Sequence, residues 1–527
     1  MVQEKEKIPL SKGVARFSGG TLVSRILGLV REQVFAIFFG AGIFTDAFFA
    51  AFRIPNLLRD LFAEGVFSAA FIPTFSREKA QEGVKPAFEL ANIVITALTI
   101  LVSVICLIGI LLSPLIVRIM APGFAENPGQ TELTVALARI MFPLLLFVSL
   151  ASAAMGILNS FGRFGVPALA PVMFNLSMIF CGIFLRPYVN PPIISMAIGV
   201  FIGGLGQFLF QIPALRKTGF RFRPKLNFKD YRLIKILKLM LPASIGTAGI
   251  QINIFVATLL ASLLPQGSIS YLNYGYRLMH LPLALFGVGV ASVSLPRFSV
   301  EYSNSGVSGL KEEYLLAMRF SLFLILPAAF FILSTTYPIV GAIFQHGKFR
   351  FEDTIATVNV LRIYAIGLFA FASVRITSQA FFSMQDTKTP MKVGLLAVVI
   401  NIILNLILMH PFQYLGLAAA TTIAGVVNMT VLISLLRIRL DGLGIKSLST
   451  FLLKAIAINI SLSVVAYYIC EFKDMNTANV TALARIVWLM VIFVGYATGY
   501  LILSKILKID EAQKVIEIFR TKKPVIR

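Results

Sequence analysis

Four arginines fall inside the first two apolar stretches of the chain, Arg25 and Arg31 in SRILGLVRE and Arg53 and Arg59 in FRIPNLLRD. A charge near the middle of a bilayer costs about 2.5 to 3.5 kcal/mol on insertion scales, so cations kept there point to function. Around them stand Ser24, Glu32, Asp46, Asn56, Asp60 and Glu64, and a further isolated cation, Arg277, follows Asn273-Tyr274-Gly275-Tyr276. At helical spacing Asp46, Ala50 and Arg53 share one stripe, as do Ser24, Gly28 and Arg31 or Glu32. Pro55 removes a backbone donor and is expected to kink its helix, freeing carbonyls that only protein or a water-filled cavity can satisfy. Gly19-Gly20 and Gly28 permit bending of the first stretch. The arginines outnumber the acids available to neutralise them, so a cavity lined by the set is cationic. Guanidinium forks fit phosphate oxygens bidentately, which makes a polyanion the expected ligand. The competing reading is that Arg31 pairs with Glu32 and Arg59 with Asp60 near helix ends, or that the long side chains snorkel to the headgroups.

These charges are costly only if their stretches cross a membrane, and the composition says that they do. Of 527 residues 57% are apolar and 13% charged, with a mean hydropathy of +0.86. Soluble proteins are about 45 to 50% apolar and about 25% charged, so a single water-soluble globule is excluded. About fourteen runs reach the roughly 20 residues that span the hydrocarbon core. They cover approximately 14–39, 45–76, 87–120, 133–158, 165–187, 191–215, 233–264, 268–298, 313–345, 353–384, 391–410, 413–436, 448–471 and 482–505. The first run holds Arg25 and Arg31 and no small-residue cleavage site, so the leader reads as mature chain and not as a signal peptide. Sorting Lys and Arg by loop puts roughly thirty on one side and four on the other, which makes both termini cytoplasmic. The formal charge of +23 is then mostly positive-inside charge, in part touching anionic lipid, and nucleic acid is not an expected partner.

The chain also repeats itself. FIPTFSRE at 71–78 is echoed by SLPRFSVE at 294–301, and the same register carries Thr134-Val135 and Arg139-Ile140 onto Thr357-Val358 and Arg362-Ile363. Ser160 and Pro167 fall on Ser383 and Pro390. Matches held in one register imply a duplication. Six spans per copy is an even number, so the copies are expected as parallel repeats about an axis along the membrane normal. The expected fold is therefore an all-α polytopic membrane protein: an N-lobe (1–215, spans 1–6) and a C-lobe (233–440, spans 7–12) around a central cavity, plus two C-terminal helices. A basic cytoplasmic linker occupies 216–232, spans 13 and 14 occupy 441–510, and a cytoplasmic tail occupies 511–527.

Other polar residues are less specific. Arg139, Arg362 and Arg485 each precede Ile near the outer end of an apolar run and read as interface anchors. Asn401 and Asn405 form an i,i+4 pair, followed by Thr421 and Thr422; their oxygens could hold a sodium ion, or they could hydrogen-bond helix to helix. Cys106, Cys181 and Cys470 show no CxxC pair, and His280, His346 and His410 have no ligand spacing, so neither a disulfide framework nor a metal site is implied.

SRILGLVRE (24–32), FGAGIFTDAFFAAFRIPNLLRDLFAEGVFSAAFIP (39–73) and YGYRLMHLP (274–282) resemble the MurJ (MviN) lipid II flippases of the multidrug/oligosaccharidyl-lipid/polysaccharide exporter superfamily. The resemblance implies flipping of the undecaprenyl-pyrophosphate-linked peptidoglycan precursor, for cell-wall synthesis, by alternating access between two lobes of the bacterial inner membrane protein. It places functional charges on Arg25, Arg31, Asp46, Arg59 and Arg277, a basic position on Arg53, and a match at Glu64. Arg25, Arg31, Arg53, Arg59 and Arg277 then meet the pyrophosphate, while Ser24, Asp46, Asn56 and Glu64 are polar or gating residues of the cavity. Some members bind sodium through an acid in the seventh and eleventh spans, where this chain has Gln251 and Asn253, and Asn401 and Asn405. No cofactor is implied; sodium, at Asn401, Asn405 and Thr421, or the membrane potential is the candidate drive. Lipid II and membrane lipids are the expected partners of a monomer, with cell-wall synthesis proteins as candidates.

Two rivals differ in what the sequence should carry. An exporter of drugs or of another lipid-linked polysaccharide shares the span pattern, but a drug exporter for cationic substrates is expected to line its cavity with acids. A membrane glycosyltransferase or phosphatase needs clustered acids or histidines, and the chain has no DxD or HxxxH, so it is expected not to be an enzyme.

Overall fold

The computed structural model describes residues 10–59, 66–477 and 480–513. Among the described residues every regular element is helical. The chain divides into two compact units, Met1–Ile269 and Ser270–Arg527. The first holds α1 (Leu10–Phe39), α2 (Ile43–Arg59), α3 (Val66–Gln81), α4 (Val84–Met120), α5 (Gln130–Met141), α6 (Leu144–Ser160), α7 (Gly165–Phe180), α8 (Ile194–Leu209), α9 (Ile212–Arg216) and α10 (Tyr231–Ser262). The second is built on α11 (Ser268–Pro282), α12 (Gly289–Ile343), α13 (Phe351–Ser383), α14 (Lys388–Arg439), α15 (Ile445–Phe472) and α16 (Ala482–Ile506).

Nine helical stretches among the described residues are long and apolar enough to cross a bilayer. Two of them contain two spans each. The chain reverses at Gly306 (φ 62°) within α12 and at Gln413 (φ 51°) within α14. A Cβ on Gly416 would lie 2.1 Å from the Leu408 carbonyl oxygen, as a tight fold-back requires. The other three expected spans correspond to α1, to α2 with α3, and to α10. The run 133–158 is broken into α5 and α6 at Pro143, which supplies no backbone donor to continue a helix. By contrast α1 runs unbroken through Gly19, Gly20 and Gly28, and α2 continues through Pro55 to Arg59.

Inside a bilayer, apolar burial gives helices no transfer gain over lipid, so close packing through small residues has to hold them. Gly199 and Gly203, four apart on α8, supply it in the first unit. A Cβ at either would stand 2.9 Å from a backbone Cα of α7, at Met178 and Phe174 respectively. Toward the other side of the unit, Phe67, Phe71 and Phe75 of α3 pack with Leu90 and Val94 of α4, Ile157 and Leu158 of α6, and Leu233 and Ile236 of α10.

Helix α10 follows the basic linker, and the compact division places it in the first unit. It is tied there at both ends. At its start Arg232 bridges Asp230 (Nη2–Oδ2 2.7 Å) and Glu78 at the end of α3 (Nη1–Oε1 2.6 Å). At its end Ser262 abuts Gly123, whose Cβ would fall 2.1 Å from the Ser262 carbonyl oxygen. Just beyond, Gln266 donates to Asn127 Oδ1 (2.7 Å) and the Gly267 amide donates to Asp46 Oδ2 (2.7 Å). The linker lies along α4: Phe220 is buried against Phe88, and the amides of Arg223 and Lys225 donate to Asn92 Oδ1 (2.9 Å) and Thr96 Oγ1 (3.1 Å).

The sequence repeat is visible in a local knot. Thr45 Oγ1 donates to the Gly42 carbonyl (2.9 Å), and its repeat counterpart Ser268 donates to the Pro265 carbonyl (2.6 Å). Both pin the loop that opens the second helix of a repeat.

In the second unit α15 and α16 pack on the latter arm of α12. Tyr496 donates to Asn459 Oδ1 (2.9 Å), Tyr500 to the Phe323 carbonyl (3.1 Å) and Ser463 to the Phe330 carbonyl (3.1 Å). Leu453, Tyr468, Phe472 and Leu483 remain exposed, as lipid-facing positions do.

Candidate functional site

Helix α7 meets α1 at Arg31, and α2 reaches the same cluster through Phe52. Its Nη2 pairs with Glu32 Oε1 at 2.6 Å, and its Nη1 donates to Asn175 Oδ1 of α7 at 3.1 Å. The guanidinium carbon lies 5.8 Å from the centroid of the Phe174 ring. Phe174 in turn meets Phe52 of α2, with ring centroids 6.3 Å apart. The Arg31 and Glu32 side chains are only 12% and 6% exposed, so the pair is held largely away from solvent. Asn175 is itself buried. Its Nδ2 reaches the Ser24 carbonyl (3.0 Å), with longer contacts to Ser24 Oγ and the Pro171 carbonyl (both 3.4 Å).

The arrangement fixes a guanidinium plane. Glu32 offsets its charge from one side, the amide and ring set its orientation, and an ammonium could not hold all three contacts. The ion pair with Glu32 that the sequence offered as the alternative is therefore present, and it coexists with a contact from another helix.

The remaining residues read from the sequence spread along the same helices. Arg53, Asn56 and Arg59 are half-buried on α2, and Arg25 is exposed on α1. Glu64 lies outside the described residues. Asp46 is buried at the start of α2, where its carboxylate accepts the Gly267 amide. In the second unit Arg277 is exposed on α11. Asn405 Nδ2 donates to Asn401 Oδ1 (2.9 Å), Asn401 Nδ2 makes a long 3.5 Å contact with Thr421 Oγ1, and Thr421 donates to the Leu417 carbonyl (3.0 Å). That run of bonds stitches the two arms of α14 together. It leaves the buried Asn405 Oδ1 as an oxygen with no protein donor.

Residues 35–488 match the sequence profile of the family described as Lipid II flippase MurJ. The chain belongs to the MurJ family. Proteins named probable lipid II flippase MurJ are 38% identical in Vibrio cholerae, over 79% of this chain and 80% of that protein, and 35% identical in Haemophilus influenzae, over 91% and 96%. A structure of lipid II flippase MurJ in an inward closed conformation superposes with a TM-score of 0.77 at 28% identity, covering 94% of this chain and 99% of the other. An inward-facing multidrug MATE transporter shares the fold alone, with a TM-score of 0.66 at 15% identity over 81% and 98%.

In this MurJ-family chain two further residues carry buried polar contacts, Asn175, which the sequence reading passed over, and Arg485, which it placed differently. Asn175 had a usable signal, since it is a lone amide in an otherwise apolar span. Arg485 reads from the sequence as an interface anchor, but the structure encloses it. Only 1% exposed, it donates to Gln345 Oε1 (3.0 Å) and to the Thr477 carbonyl, and stacks near Tyr337. One oxygen partner, Gln345, lies 140 residues away just past the end of α12, and the other, Thr477, lies eight residues away in the loop before α16.

Proposed function

We propose that this chain moves lipid II, the undecaprenyl-pyrophosphate-linked disaccharide peptide, from the cytoplasmic to the periplasmic leaflet by alternating access. The observation that carries the reading is the MurJ-family match across 35–488, which includes the intramembrane arginines of α2. It works as a monomeric multi-pass transporter of the bacterial inner membrane with both termini cytoplasmic, not as an enzyme, and cell-wall synthesis proteins are its protein partners. Arg25, Arg31, Arg53 and Arg59, with Arg277 of the second unit, neutralise the pyrophosphate. Ser24, Asn56 and Glu64 supply polar contacts, and Asp46 keeps the loop before α11 in place. The prenyl tail is apolar and stays in lipid. Sodium bound at Asn401, Asn405 and Thr421, or the membrane potential, drives the cycle.

Depleting the protein tests the reading: the lipid-linked precursor should accumulate on the cytoplasmic face, and an unchanged distribution would refute it. In the depleted strain, Arg→Lys at position 31, 59 or 277 should impair rescue because an ammonium lacks the planar fork. Arg→Ala should be worse, by roughly 1.5 to 3 kcal/mol per charged hydrogen bond lost. Three normally abundant Ala variants that rescue fully would remove these residues from substrate binding.

A further inference from the structure

At one end of the second unit, α12, α15 and the turn after α16 enclose a cleft of about 520 Å3 with three cations on its wall, Arg319, Lys454 and Lys508. The cations are not equivalent. Arg319 is committed: its Nε lies 2.7 Å from Glu511 Oε1, its Nη2 donates to Glu511 Oε2 (3.1 Å), and its Nη1 donates to Ser447 Oγ (3.1 Å). It also lies over Phe451, 5.4 Å from the ring centroid. Glu511 is thereby consumed. Asp510, 3.6 Å from Arg319, has a side chain 76% exposed to solvent.

The two lysines are left in excess. Lys454 spends one of its three ammonium donors on the Leu507 carbonyl (2.9 Å). Lys508 is exposed and has no acidic partner within ion-pair distance among the described residues. It also occupies a left-handed backbone conformation (φ 55°) that favours glycine or asparagine. Ser447 and Thr450 add hydroxyls on the first turns of α15. Leu453, next to Lys454 on α15, and Ile506, two residues before Lys508, are exposed apolar side chains of the kind that face acyl chains. The Lys and Arg asymmetry of the loops puts this end at the cytoplasmic leaflet, where anionic lipids concentrate.

We propose that this cleft binds the phosphate of an anionic phospholipid headgroup, with Lys454 and Lys508 as its ligating cations and Arg319 as the strut that shapes it. None of the three belongs to the arginine set assigned to the transported substrate. Phosphate is the shared chemistry of a headgroup and a soluble anion, so the test separates them.

Full-length protein in detergent is titrated at constant ionic strength with short-chain phosphatidylglycerol, short-chain phosphatidylcholine or sodium phosphate, reading the shift in melting temperature. Phosphatidylglycerol should raise it and phosphatidylcholine should not. Lys508→Gly suits the left-handed backbone and so should fold at least as well as the parent. Combined with Lys454→Ala it should weaken the phosphatidylglycerol response roughly tenfold. If phosphate alone reproduces that response and Lys508→Gly abolishes it, the cleft is a phosphate site whose ligand is soluble. A response equal for both lipids, or one undiminished in the double variant, overturns the site.

Discussion

At the scale of single residues, the unexpected member of the site is Asn175. Its amide joins the Arg31 guanidinium to the Ser24 carbonyl, so one side chain sets both the cation and the helix that carries it. Asn175→Ala is expected to leave Arg31 paired with Glu32 but free to swing. Loss of its bonds should cost about 1 to 3 kcal/mol of stability. Rescue of a depleted strain should then fall by more than the drop in membrane abundance measured by immunoblot, and a proportional fall would make Asn175 merely structural. The arginines were legible because charge inside an apolar run is conspicuous. The pairing of Arg31 with Glu32 was legible too, but its amide partner was not, because Arg31 and Asn175 lie far apart in sequence and only the folded chain brings an amide of α7 against α1. Asp46 illustrates the same limit. The resemblance placed it among the polar or gating residues of the cavity, and the fold hands its carboxylate the backbone amide of Gly267, a partner that no side-chain letter announces.

Elements place those residues, and here glycine decides. Because Gly203 lets α8 meet the backbone of α7 beside Phe174, Gly203→Val should push α7 outward and loosen Asn175 with it. Overpacking of this kind costs about 1 to 3 kcal/mol, visible as a lower melting temperature with a matching loss of rescue. An unchanged melting temperature would show that the two helices can part without strain. At the start of α10 the contact is electrostatic. The hydrogen bond from Arg232 holds the Asp230 carboxyl below its ordinary value of 3.8, and burial opposes the shift only in part. A depressed folded pKa means stability that is present above the unfolded value and is lost as pH falls through the folded one. Melting temperature should therefore drop below about pH 4 with a component that Asp230→Asn removes. An identical acid slope in the variant would take Asp230 out of the account. Sequence periodicity found these helices, but it could not tell that the linker runs along α4 on hydrogen bonds that its amides donate to Asn92 and Thr96, since extended segments carry no such period.

Across the whole molecule, the loop charges set the expected topology: a reporter fused within 216–230 should read cytoplasmic and one within 121–131 periplasmic. Both on one side would end the scheme of six spans per repeat. The duplication was legible in sequence and is echoed in the Thr45 and Ser268 knots, yet the repeats have diverged in contact. Ser76 and Ser160 share a hydrogen bond (2.8 Å), whereas their counterparts Ser299 and Ser383 each turn back to their own helix. Such asymmetry is invisible to a search for matching letters. The tethering of α10 carries a consequence for synthesis. The helix that opens the second sequence repeat packs into the first compact unit, so the repeat boundary and the packing boundary fall at different places. A nascent polypeptide that has delivered its first six spans still lacks Leu233 and Ile236, the α10 members of the core that Phe71, Phe75, Leu90 and Val94 share. That core is complete only after the basic linker has cleared the ribosome and α10 has entered the bilayer.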